Sequence, residues 1–224
     1  CKDHPFFSYD DWFIGTTDCA AGVPSAISDL SLPFRYNDIE SLREQFDYHK
    51  GQIACVIMEA ATTEPPAEGF LEEVQSLCQD NGAVFILDEM ITGFRWHIKG
   101  AQHYYGIKPD LATFGKGLGN GFSIAALVGR REIMELGGLN HDGERVFLIS
   151  STHGAENHAL AACIGALNVF QKADVTSHMW NIGRQLIDAL NNAAALNDMR
   201  ASFQAYGIDC SPDYACRGRD NSPS

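Results

Sequence analysis

Two unbroken apolar runs, "IACVIME" ending at Glu59 and "AVFILDE" ending at Glu89, flank a segment with helical spacing, and this arrangement restricts the fold more than any other feature. In "PPAEGFLEEVQSLCQDNG" the residues Phe70, Leu71, Val74, Leu77 and Cys78 fall on one helical face, prolines precede them, and Gly82 stands where a helix C-cap belongs. Short continuous apolar runs of this kind are typical of strands buried on both faces. Strand, helix, strand makes a βαβ unit. It predicts parallel strands, a right-handed crossover and helices laid over the sheet.

The remaining chain extends this plan. Residues 1 to about 35 are rich in aromatics, Gly and Pro without a period and read as mostly loop. "NDIESLREQF" offers an Asn37 or Asp38 cap and apolar Ile39, Leu42 and Phe46 at helical spacing. "DLATFG" reads as a third strand and "AALVGR" as a fourth. Two helices follow, one carrying Leu160, Cys163, Ile164, Leu167 and Phe170 on a face, the next Ile182, Leu186 and Leu190. The change from alternating strand and helix to helix after helix places a domain passage near residue 172.

With 224 residues and 45% of them hydrophobic, the chain can bury one substantial core or one core and part of a second. The net charge of −13 argues against a nucleic-acid partner, because phosphate binding needs clustered basic surface. No apolar run reaches membrane-helix length and no secretory leader opens the chain, so no membrane partner and a cytoplasmic location are expected. Seven cysteines without CxxC spacing fit reduced thiols better than disulfides or zinc, and no metal site is expected. The start at Cys1 and the ending "CRGRDNSPS" suggest a piece of a longer protein.

In an open α/β sheet, ligands bind beyond the carboxyl ends of the strands, where Glu59, Asp88 and Lys116 fall. A carboxylate ending an apolar strand is costly to bury without a cationic partner. A lone amine among glycines, as in "FGKGLGNG", can condense with a carbonyl. Pyridoxal phosphate (PLP) needs both: a lysine for its aldehyde and an acid for its protonated ring nitrogen.

"ILDEMITGFR" followed by "PDLATFGKGLGNG" resembles the cofactor signature of the class III aminotransferases of PLP fold type I, and most of all its glutamate-1-semialdehyde aminomutase branch. "DDWFIGTT", "EEVQSLCQDNGAVFILDE" and "STHGAENHALAA" resemble further segments of that family, in the same order. The resemblance implies that Lys116 is the Schiff-base lysine and proton carrier, and that Asp88 pairs with the pyridine nitrogen. It implies that Thr152 donates to the cofactor phosphate held by a neighbouring subunit, hence a homodimer with cofactor at the interface. Phe6 stands near the family's ring-stacking aromatic, though the chain has Phe6, Phe7 and Ser8 where the family has Tyr-His-Gly. Glu59, followed by Ala60 instead of Pro, is expected to orient the site or help select substrate.

The expected fold is therefore α/β of PLP fold type I, with a mainly parallel central sheet flanked by helices. A large domain over residues 1–172 and the start of a small α+β domain over 173–224 are expected, both incomplete. The expected activity is amino-group transfer between a small amino donor and a carbonyl acceptor. An intramolecular aminomutase and a degenerate PLP-fold protein kept for binding or dimerisation are the alternatives. Glu89 and Arg95 read as structural support of the site through hydrogen bonds, and His97, His103 and His153 as packing or surface residues.

Overall fold

A computed structural model describes residues 21–62, 64–138, 140–144, 153–154, 156–199, 201–204 and 213–216. Four strands, β1 (Cys55–Glu59), β2 (Val84–Asp88), β3 (Leu111–Phe114) and β4 (Ala126–Gly129), form one sheet in the order β1-β2-β3-β4. The first three run parallel and β4 runs antiparallel to β3. All four lie where the apolar runs predict them.

Among the described residues the α-helices are α1 (Ser25–Ser28), α2 (Ile39–Tyr48), α3 (Phe70–Asp80), α4 (Ala101–Tyr105), α5 (Arg131–Met134), α6 (Asn157–Lys172) and α7 (Val175–Leu196). Asp38 is the cap of α2, its carboxylate accepting from the Ser41 N–H at 3.2 Å. Asn37 instead takes a left-handed φ of 60° and clamps the loop before α3 through Pro65 and Ala67. At the end of α3, Gly82 has φ 69°, and the N–H groups of Gly82 and Ala83 return to the carbonyls of Gln79 and Cys78. This Schellman ending turns the chain sharply into β2.

The predicted face of α3 is fully buried. Phe70, Leu71, Val74, Leu77 and Cys78 join Leu42 and Phe46 of α2 and Val56, Met58, Phe85 and Leu87 of the strands in a single core. Burial pushes the Cys78 thiol up to about 12, with Asp110 and Cys55 adding to the shift, so it behaves as a small apolar side chain. The strands differ from the expectation of burial on both faces. In β1 and β2 fully buried residues alternate with half-buried ones, and Cys55 at the strand start is exposed. α2 and α3 belong to the core of one face only. The other face carries Ile57, Ile86, Glu59 and Asp88.

The faces of α6 and α7 also differ. Leu160 and Ile164 of α6 and Ile182 and Leu186 of α7 are exposed, whereas Phe170 packs on Phe94 with ring centroids 5.6 Å apart. Two further strands of four residues each, β5 (Ala201–Gln204) and β6 (Asp213–Cys216), close the described chain as an antiparallel pair.

Candidate active site

Register places three of the chemistry-bearing residues in one row. Glu59 of β1 is the partner of Asp88 of β2, and Asp88 is the partner of Thr113 of β3. Paired residues of neighbouring strands point to the same side, so two carboxylates and a hydroxyl stand side by side at the carboxyl edge of the parallel strands. Lys116 follows β3 by one glycine, at the start of a 3-10 turn.

Asp88 is fixed through one of its two oxygens. Its Oδ1 accepts from the Met90 N–H at 2.9 Å and from the Thr113 hydroxyl at 3.1 Å. Among the described residues both partners bind Oδ1, and Oδ2 is the oxygen left to meet a ligand. Thr113 is a residue that sequence reasoning missed. The signal was available only as its position in a strand, because the bond to Asp88 spans 25 residues.

Lys116 has φ 38°, which an L side chain adopts at a cost. Glycines in and around this turn let the chain pack closely. A Cβ on Gly115 would collide with the Met90 thioether, one on Gly119 with the Phe122 carbonyl and Ile124, and one on Gly93 would sit 2.6 Å from Phe114. The loop after β2 and the loop after β3 therefore touch backbone to side chain, and this draws the Asp88 and Lys116 segments together.

Glu89 takes a different part. It is wholly buried, and its carboxylate accepts from the Thr92 hydroxyl at 2.7 Å and from the N–H groups of Ala101 and Gln102 at 2.7 and 2.9 Å. It thus caps α4 from across the intervening loop and closes residues 89–102 into one unit. Gly100 lies against it, and any Cβ there would strike the carboxylate. Arg95 lends its carbonyl to the Trp180 indole N–H at 2.9 Å, and Trp96 and Trp180 meet edge to face at 5.8 Å. These contacts tie α7 to the same loop.

Phe6 and Thr152 lie outside the described residues. The His97 and His103 rings meet at a tilt of 34° with centroids 4.2 Å apart. Among the described residues no group of three His, Cys, Asp or Glu side chains is set to hold a metal ion, and no helix is long and apolar enough to cross a membrane. Burial, then the neighbouring His103 and Lys99, hold the His97 imidazole below its usual 6.5. The unfolded chain then takes up this proton first, so the stability contributed at neutral pH falls as pH drops below 6.5 toward the folded value. In an NMR titration His97 is expected to titrate below 6.5, and His103→Ala to move it upward.

Against known proteins, the chain resembles glutamate-1-semialdehyde 2,1-aminomutase 1 of Lachnoclostridium phytofermentans, with 46% identity over 119 residues, which is 51% of this chain and 28% of that one. Its fold matches the solved structure of the FumI protein of Sphingopyxis sp. MTA144 with a TM-score of 0.78 at 22% identity, over 92% of this chain and 49% of that one. An omega-transaminase from Sphaerobacter thermophilus matches with a TM-score of 0.73 at 24% identity, over 83% of this chain and 43% of that one. The chain spans less than half the length of each of these relatives. The family model of class-III aminotransferases matches residues 18–219. That match runs through the row at the strand ends, the Lys116 turn and both long helices, and the chain belongs to the class-III aminotransferase family.

Proposed function

We propose that this chain carries the central part of a PLP-dependent aminotransferase, which moves an amino group from a small amino donor to a carbonyl acceptor. The observation that carries the reading is the fixed carboxylate of Asp88, pinned at Oδ1 and presenting Oδ2, on the strand next to the one that leads into Lys116. The donor set suits PLP: an oriented anion for a protonated ring nitrogen and a primary amine for an aldehyde. When bound, PLP supplies that aldehyde and a ring that withdraws electrons from the substrate carbon.

Lys116 then has two tasks, to hold the cofactor through Nζ and to take and return a proton at Nζ while the amino group moves. Asp88 supplies negative charge through Oδ2 in a half-buried position, where a charge-assisted hydrogen bond is stronger than in water. Glu59, in the same row, lies beside Asp88 on the β1 side and is read as orienting the site or helping to select substrate. Thr152 is read as a phosphate donor to a second subunit, which makes the working unit a homodimer, and Phe6 as the ring-stacking aromatic. Residues 1–172 are read as part of the large PLP-binding domain and 173–224 as the start of a small one.

The 46% identity to an aminomutase over 119 residues favours a second reading, amino transfer within one molecule. The two are separated by feeding the full-length protein ¹⁵N-labelled amino donors with an unlabelled carbonyl acceptor, and separately glutamate 1-semialdehyde. Label in the acceptor is the expected result. Migration of nitrogen between neighbouring carbons of the semialdehyde, with no label passing to an acceptor, would establish the mutase instead. Neither transfer in a protein that still dimerises would show a degenerate member kept for binding.

A further inference from the structure

We propose that Thr113 is the positioning residue of the site: its hydroxyl locks the Asp88 carboxylate so that Oδ2 is aimed at the cofactor ring nitrogen. The inference rests on the reading of Asp88 as the partner of that nitrogen, and it extends the reading to a residue with no chemistry of its own.

A carboxylate on a short side chain turns readily about its terminal torsion, which is broad and two-fold. One hydrogen bond to one oxygen leaves that rotation partly open. Two bonds to the same oxygen from different directions close it. The Met90 N–H reaches Asp88 Oδ1 from the chain just beyond the strand, and the Thr113 hydroxyl reaches it from the neighbouring strand, at 2.9 and 3.1 Å. The hydroxyl must be the donor, since an ionised carboxylate only accepts. Glu59 stands in the same row on the other side of Asp88. Lys116, after β3, is the cation of the site.

A purely structural account of Thr113 is that a β-branched residue suits a strand. That account predicts that valine, which has the same shape and equal or better strand propensity, serves as well. The hydroxyl account predicts that it does not, and that serine does. Strand pairing puts the hydroxyl in place: Thr113 is opposite Asp88 in a parallel register, while the Glu89 N–H bonded to the Thr113 carbonyl at 2.9 Å holds the two strands in step just past the pair.

The test compares wild type, Thr113→Val, Thr113→Ser, Asp88→Asn and the Asp88→Asn/Thr113→Val double variant of the full-length protein. The first readout needs no cofactor: the Asp88 side-chain carboxyl resonance is compared between the variants at one fixed pH in the PLP-free protein with ¹³C-labelled aspartate. Thr113→Val is expected to shift that resonance through the lost hydrogen bond, and Thr113→Ser to return it to the wild-type position. The second readout is the Kd for PLP. Thr113→Val is expected to weaken it about tenfold, Thr113→Ser to restore it, and Thr113→Val to have no further effect on the Asp88→Asn background. An unchanged Asp88 carboxyl resonance in Thr113→Val overturns the proposal. If Asp88→Asn weakens PLP binding and Thr113→Val does not, Thr113 has no role while the reading of Asp88 stands. If neither changes PLP binding, the reading of Asp88 fails, and the role of Thr113 toward the cofactor fails with it.

Discussion

Lys116→Ala is expected to remove turnover and the covalent hold on the cofactor together. Proton transfer by a positioned side chain is worth roughly 10²–10⁴-fold, and the loss of the amine that binds the aldehyde adds to this. Alanine meets the same backbone penalty as lysine at φ 38°, so the fold is expected to survive the change. Borohydride reduction of the PLP-loaded wild type, followed by peptide mapping, should place the label on Lys116, and Lys172→Ala, at the end of α6, should leave turnover and labelling unchanged. Label on another lysine would remove Lys116 from its role. A Lys116→Ala protein with wild-type turnover would do the same.

The second large effect belongs to stability. Glu89→Ala would strip the cap from α4, leaving two buried donors, the Ala101 N–H and the Thr92 hydroxyl, and the part-buried Gln102 N–H without their acceptor. At about 1–3 kcal/mol for each buried donor left unmade, the expected loss is roughly 2–6 kcal/mol, a large share of an ordinary domain's stability. Glu89→Gln keeps the volume and one acceptor oxygen and should recover part of it. Urea unfolding midpoints of the three proteins measure the effect, with m-values compared to confirm a common transition. A midpoint for Glu89→Ala equal to wild type would show that water or a rearranged loop replaces the carboxylate at no cost. The neighbouring Gly100 has φ 86° and lies against the same carboxylate, so Gly100→Ala should also destabilise.

Much of the framework was legible because it is local. Apolar runs of strand length, the single buried face of α3 with Gly82 past its end, and the cap of α2 each depend on residues within a few positions of one another. The placement of Glu59, Asp88 and Lys116 at strand ends follows from the same reading, since a run of apolar residues stops where the sheet meets solvent or ligand. The outcome for α6 and α7 shows the limit of periodicity. It marks Leu160, Ile164, Ile182 and Leu186 as facing together, but not what, if anything, covers them, and all four are exposed.

What the sequence by itself determined is thus the set of elements and the ends at which chemistry can sit, because helix period, strand run and turn residues are short-range consequences of backbone geometry. Only the tertiary structure decided which residues meet. Register between parallel strands joined by a crossover set Thr113 against Asp88 and chose Oδ1 as the held oxygen, 25 positions apart in the chain. Chain reversal before β4 made the last pairing antiparallel. The return of α4 onto Glu89, and of Trp180 onto the Arg95 carbonyl from 85 positions away, completed the loop behind the site. Such pairs carry no periodic mark in the sequence; a buried carboxylate or indole N–H must find a partner when water is excluded, and only the packed chain determines which one is within reach.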